Sequence, residues 1–172
     1  MRAIDPDDIA RTGAPTFEEA HFRQVLGHFA TGITIITTVD EDGPVGFTCQ
    51  SFMSLSMDPP LVGFSPSRTS ATWPRIEKTE HFCVNILSDR QEDVCRVFAT
   101  KSQDKFSGVG WRRGRTGAPV LHEVLGWIEA SIQTVHDAGD HLLVVGRVLD
   151  LGMGQEGRPL LFYRGGYGRF EA

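Results

Sequence analysis

The chain has 172 residues, 40% of them hydrophobic and 23% charged, which suits one globular domain with a sizeable core. A net charge of −5 argues against a general nucleic-acid or anionic-membrane surface, and no apolar run approaches the ~20 residues of a membrane span. Residues 1–22 lack the apolar centre of a signal peptide, and Cys49, Cys83 and Cys95 are widely spaced with no CxxC pair, as fits reduced thiols in a cytoplasm.

Residues 1–15 are polar, carry Pro6, Gly13 and Pro15, and are expected as a flexible tail before one domain at 16–172. Thr16-Phe17-Glu18-Glu19 reads as a capping box, with Thr16 as cap. Phe22, Val25, Leu26 and Phe29 then recur at helical spacing, so an amphipathic helix is expected to end near Ala30. Thr31-Gly32 breaks it. Ile33 to Val39 is β-branched and almost wholly apolar or Thr, the pattern of a strand buried on both faces. Asp40 to Gly43 reads as a hairpin loop, with strands expected at about 44–52 and 60–64 and a turn at Pro59-Pro60. A short helix is expected at 70–78, with Pro74 in its first turn, then a strand from His81 to Leu87. Ser88-x-x-Gln91 is a second capping box, opening a helix through about Ala99 with Val94, Val97 and Phe98 inward. Thr100 to Gly110 is a polar loop. Leu125 to Val135 alternates, with Ile128, Ala130 and Ile132 on one face and Glu129, Ser131 and Gln133 on the other. The turn Asp137-Ala138-Gly139-Asp140 pairs it with a strand from His141 to Leu151, and a last strand is expected at Pro159–Tyr163. Six or seven strands joined mostly by hairpins, with two or three helices, predict a mainly β fold. It is a closed or nearly closed antiparallel barrel with peripheral helices. A doubly wound parallel sheet needs a helix after nearly every strand.

The segment Gly46 to Ser70 carries the most chemistry. Hydroxyl and amide side chains (Thr48, Gln50, Ser51, Ser54, Ser56) interrupt one strand-like run, and Ser65, Ser67, Thr69 and Ser70 follow the next. Such corners can seat an uncharged planar ring with a phosphate tail, the phosphate held by backbone N–H groups and hydroxyls. The same residues also suit ordinary turns. Gly152-x-Gly154-x-x-Gly157 matches the dinucleotide fingerprint by letters only, because Arg158-Pro159 and a strand follow it where the motif needs a helix. His136-Asp137-Ala138-Gly139-Asp140-His141 admits a metal, but no third cluster of ligand residues has motif spacing, and a turn that presents His141 to a ligand is the better reading. Ser51, Ser65 or Cys49 with a histidine base would make a hydrolase, although no GxSxG elbow is present. Arg68, Lys101 and Lys105 are loop cations that could meet a phosphate.

Taken together, several segments resemble the flavin reductase domain of two-component flavin-dependent monooxygenases. They are FRQVLGHFATGITIITT (22–38), GFTCQSFMSLSMDPPLVGFSP (46–66), SATWPRI (70–76), FCVNIL (82–87), KFSG (105–108), AGDH (138–141) and LLFYRGGYG (160–168). The resemblance implies a split β-barrel that binds FMN or FAD, as a homodimer. It implies that Thr48, Cys49, Gln50, Ser51 and Phe52 line the flavin, and that Ser65, Pro66, Ser67 and Ser70 lie near its phosphate. Gly32 and Thr34 then approach the ring, and Asn85, Lys101, Lys105 and Phe106 the tail. Gly139, Asp140 and His141 match the family's nicotinamide-linked motif, with Tyr163 and Arg164 as further nucleotide contacts.

The implied reaction is hydride transfer from nicotinamide C4 to flavin N5, with NADH favoured over NADPH because no basic pocket for a 2′-phosphate is legible. The cofactors supply the chemistry, so no dedicated acid or base is required and His141 orients. Reduced flavin then diffuses to a separate oxygenase, in aromatic or steroid-ring catabolism. The competing readings are a flavin-binding electron carrier, a flavin-linked oxidase of the same barrel, and the hydrolase above.

Overall fold

A computed structural model describes residues 17–102 and 104–171. The expected tail and the cap at Thr16 lie outside these residues. In chain order the elements are α1 (Glu19–Leu26), β1 (Thr31–Gly32), β2 (Thr34–Asp40), β3 (Gly43–Cys49), β4 (Met53–Met57) and β5 (Pro60–Phe64). Next come α2 (Trp73–Thr79), β6 (His81–Ile86), α3 (Glu92–Ala99), β7 (Trp111–Arg113), β8 (Pro119–Leu121) and β9 (Gly126–Ala138). The chain closes with β10 (His141–Met153), β11 (Leu160–Tyr163) and β12 (Gly166–Arg169).

Seven strands form one antiparallel sheet in the order β3-β2-β6-β9-β10-β5-β4. Its two edge strands, β3 and β4, are consecutive in the chain, and only Gln50, Ser51 and Phe52 separate them. A link that short forces the sheet to curl until its edges meet. No ladder joins β3 to β4 among the described residues, so the barrel is split rather than closed. Ser51 spans the split: its Oγ accepts from the Ser65 backbone N–H at 2.8 Å and donates to the Ser65 carbonyl at 3.2 Å. The expected antiparallel split barrel is the observed architecture.

Strand β2 is buried on both faces, as its composition predicts, and its alternate residues serve two cores. Ile36 packs with Phe64, Trp73, Ile76, Phe82, Val84 and Val144 inside the curl. Ile35 packs with Leu87, Cys95, Phe98, Leu121 and Leu160 on the other side. Helix α2 seats Trp73 and Ile76 in the first core, with Pro74 in its opening turn.

The differences from expectation have local causes. β1, β4, β7, β8 and β12 are short strands that the hydrophobic pattern alone did not mark. The stripe of α1 is turned outward: Phe22, Val25, Leu26 and Phe29 are all exposed, and no residue of the helix is buried. In α3 Cys95 and Phe98 are buried and Val94 packs against the same core as expected, while Val97 is 39% exposed. The helix opens at Glu92, with Gln91 as its N-cap. Ser88 and Gln91 still bond, the Ser88 N–H donating to Gln91 Oε1 at 3.1 Å, but they close the turn before the helix.

Glu129 is the largest departure. Alternation puts it on the polar face of β9, yet it is fully buried. The turn after β7 folds over it and supplies the backbone N–H groups of Arg115 at 2.7 Å and Thr116 at 2.8 Å, with the Thr116 hydroxyl as a third donor. No helix among the described residues is long and apolar enough to cross a membrane.

Candidate functional site

The candidate corner begins where β2 and β3 run side by side, with Thr34 opposite Cys49. Thr34 Oγ1 donates to the Cys49 carbonyl at 3.0 Å, and Thr48 Oγ1 donates to the Cys95 carbonyl at 2.7 Å, tying β3 to α3. Cys49 is buried, and that burial pushes its thiol pKa up, so it is a neutral packing group rather than a thiolate nucleophile. Gln50 is exposed, and Phe52 packs against the inner core. Among the described residues neither His136 nor His141 hydrogen-bonds Ser51 or Ser65 through its ring. His136 Nε2 meets Thr134, and His141 Nδ1 meets Asp140 at 2.8 Å. The hydrolase reading therefore has no nucleophile–base pair to stand on.

Beyond β5 the chain stays beside β10. Leu142 N–H donates to the Pro66 carbonyl at 3.0 Å, Ser67 and His141 form a β-bridge, and Arg68 N–H donates to the Asp140 carbonyl at 3.0 Å. The Arg68 guanidinium reaches the same turn, through Nε to the Gly139 carbonyl at 2.8 Å and through Nη2 to Asp137. The hydroxyl-rich segment and the Gly139-Asp140-His141 turn are thus joined backbone to backbone. The His141 hydrogen bond, reinforced by its charge when protonated, holds the Asp140 carboxyl below the usual range.

Two hydroxyls of that segment bond only within residues 67–69. Ser67 Oγ and Thr69 Oγ1 lie at the surface, 2.9 Å from one another, and Ser67 Oγ also accepts the Thr69 N–H at 3.2 Å. Ser70 is engaged: its Oγ accepts from Thr72 N–H at 3.3 Å and Trp73 N–H at 3.2 Å, capping the start of α2. Gly32 pairs with Leu161 of β11, is exposed, and has open space where a Cβ would stand. Beside it, Thr31 Oγ1 is buried with no hydrogen-bond partner. Tyr163 is 45% exposed at the β11–β12 turn, and Arg164 N–H donates to the Gly27 carbonyl at 2.9 Å.

Two expected flavin contacts are absorbed by the fold. Asn85 is fully buried; its Nδ2 donates to Ile35 O, Thr37 Oγ1 and Pro119 O, and its Oδ1 accepts the Leu121 N–H at 2.8 Å. Lys105 is also buried, its ammonium donating to the carbonyls of Gly46 at 3.2 Å and Phe98 at 3.0 Å. Burial pushes the Lys105 pKa down. Phe106 stacks edge-on with Phe98 and Trp111. Lys101 alone of that loop's expected contacts is exposed.

A cavity of about 460 Å³ lies elsewhere, lined by Asp89, Arg90, Gly157, Arg158 and Arg169. No expected flavin or nicotinamide residue lines it. Among the described residues no His, Cys, Asp and Glu are grouped to hold a metal ion.

A family profile described as flavin reductase like domain matches residues 26–171. The chain is 49% identical over 154 residues to the flavin-dependent monooxygenase reductase subunit HsaB of Rhodococcus jostii strain RHA1, covering 90% of this chain and 79% of that protein. It is 40% identical over 149 residues to the FMN reductase (NADH) SmoA of Agrobacterium fabrum strain C58, covering 87% and 84%. The crystal structure of nitrilotriacetate monooxygenase component B from Mycobacterium thermoresistibile superposes with a TM-score of 0.87 at 48% identity, covering 89% of this chain and 87% of that one. The chain belongs to the flavin reductase like family, and it is a flavin oxidoreductase of that family.

Proposed function

We propose that this reductase seats oxidised FMN or FAD against residues 48–52 and 65–70, takes NADH at the Gly139–His141 turn, and releases reduced flavin to a separate oxygenase. The observation that carries this reading is the junction of the two segments: the Ser67–His141 bridge and the Arg68–Asp140 backbone hydrogen bond set the two expected ligand seats side by side.

The residues fit a flavin. Gly32 leaves open space against the backbone for a flat ring, Ser67 and Thr69 carry surface hydroxyls that can meet a phosphate, and exposed Lys101 can add a charge. When bound, the flavin supplies a hydride acceptor that the nicotinamide can reach by lying against it. The protein's part is positional: His141, fixed through Nδ1 by Asp140, presents Nε2 as a contact for the nucleotide. NADH is the donor named for the Agrobacterium relative, and monooxygenase components are named among the others, which supports both the donor and the partner.

A second copy of the chain suits the apolar surface that the fold leaves uncovered. Phe22, Val25 and Leu26 on α1 with Phe29 just after it, and Met53, Leu55 and Met57 on β4, are exposed large apolar side chains that a partner surface could cover. The three buried free cysteines suit a reducing cytoplasm.

The test is NADH oxidation by the purified protein with FMN or FAD added. Flavin-stimulated oxidation is expected, and its absence would remove the reading. The His141→Ala variant should raise the KM for NADH while flavin affinity is kept; an unchanged KM would contradict the role given to His141.

A further inference from the structure

We propose that Arg68 is a positioning residue that couples the two ligand seats, so that a flavin held by residues 65–70 orders the turn that receives the nicotinamide. The inference rests on the seats assigned under the proposed function.

The β9–β10 hairpin needs such support. Strand β5 pairs with β10 only at Val144 to Arg147. From Leu143 to the turn, β10 has β9 as its only ladder partner among the described residues. A two-stranded ribbon is marginal in water unless something packs on it. The segment after β5 takes over that edge, with Pro66 accepting from Leu142, Ser67 bridging His141, and Arg68 N–H donating to Asp140. Arg68 then adds a side-chain grip across the tip, Nε on the Gly139 carbonyl and Nη2 on Asp137.

An exposed ion pair such as Arg68–Asp137 stabilises little by itself. Its value here is geometric. A planar guanidinium holds two acceptors two positions apart at once, which an ammonium cannot reproduce. Gly139 sits at φ +69, a conformation with several neighbouring alternatives for a glycine, and the grip selects one. His141 follows two residues later and inherits that choice. Anything that immobilises Ser67 and Thr69 also immobilises Arg68 between them. Linkage is reciprocal, so a bound nicotinamide nucleotide must tighten flavin by the same factor.

The experiment measures NAD⁺ affinity by calorimetry, with and without saturating oxidised FMN or FAD; NAD⁺ is used because it does not reduce the flavin. Wild type is expected to bind NAD⁺ at least about fivefold tighter when flavin is present, the low end of ordinary coupling factors. In Arg68→Ala that ratio should fall toward one, with Arg68→Lys intermediate. In turnover, the Arg68→Ala KM for NADH should rise by a larger factor than kcat falls. Asp137→Ala removes the acceptor at the other end of the grip and should lower the ratio too, which separates the effect from misfolding of one variant. Equal ratios in wild type and Arg68→Ala would overturn the inference, as would a wild-type ratio of one. Those results would leave the seats standing. Failure of the seats reads differently: no flavin binding at all, or NAD⁺ affinity untouched by His141→Ala.

Discussion

Ser51 offers a direct test of how the barrel's split edge is held. Ser51→Ala deletes the Oγ that accepts the Ser65 N–H at 2.8 Å and donates to the Ser65 carbonyl at 3.2 Å. An unpaired buried donor costs about 1–3 kcal/mol. Ser51 and Ser65 are half-buried, so water compensates in part and the lower portion, about 1–2 kcal/mol, applies. In a domain of this size each kcal/mol moves Tm by about 2–4 °C, so a fall of about 2–8 °C is expected without flavin. Flavin affinity should fall as well, because the strut fixes residues 49–52 against 65–70. The assays are thermal unfolding by circular dichroism and flavin fluorescence titration. Lost affinity at an unchanged Tm would show that the hydroxyl serves the ligand directly and is no strut. Both quantities unchanged would refute the reasoning outright.

Two further outcomes are expected. Gly32→Ala should fold normally, because the added methyl meets no atom within 4 Å and the site is exposed. If the ring lies against that backbone, crowding of about 1–3 kcal/mol weakens flavin by at least about fivefold; an unaltered titration would place the ring elsewhere. Stability should also fall at alkaline pH. Burial raises the Cys83 pKa from 9.0 to about 12, the Cys95 hydrogen bond first of all raises Tyr167 from 10.0 to about 12, and burial raises Cys49 and Cys95. Groups harder to ionise when folded give their full contribution below the unfolded pKa and lose it as pH climbs toward the folded one. For Cys83 the window is pH 9 to about 12 and the loss is about 4 kcal/mol across it. Lys105 acts in the opposite sense, so the informative comparison is the urea midpoint against pH for wild type and Cys83→Ala. Parallel curves would refute the Cys83 assignment.

The long elements were legible because their periodicity is strong. β2, β6, β9 and β10, and the turn at Gly139, all lie within a few residues of expectation. What periodicity could not reveal is what covers a face. Asn85 and Glu129 were misplaced for one shared reason. On the outer face of the sheet, Cys83 stands opposite Glu129 and Asn85 opposite Trp127. The β7–β8 hairpin lies over that patch, giving Arg115 and Thr116 N–H groups to Glu129 and the Leu121 N–H to Asn85, while Pro119 O accepts from Asn85. Each of these two strands is three residues long, too short to mark itself by alternation. The α1 stripe is the converse case: its period is plain in the sequence, but among the described residues nothing buries it.

The candidate site shows the same gap between residue type and residue use. Of the polar side chains expected around the flavin, Thr34, Thr48, Ser51, Ser70, Asn85 and Lys105 all have partners within the fold. Gln50, Ser65 and Lys101 have no side-chain hydrogen bond among the described residues, and Ser67 bonds only Thr69 beside it at the surface. A site meant to retain a phosphorylated cofactor gains most from buried, bidentate arginines. Arg68, the arginine within residues 65–70, has its guanidinium turned onto Gly139 and Asp137 instead. On the proposed seat, exposed Lys101 is left to add charge at the phosphate, with hydroxyls, amides and ring contact beside it. A seat built that way would suit an enzyme whose reduced product leaves for another protein.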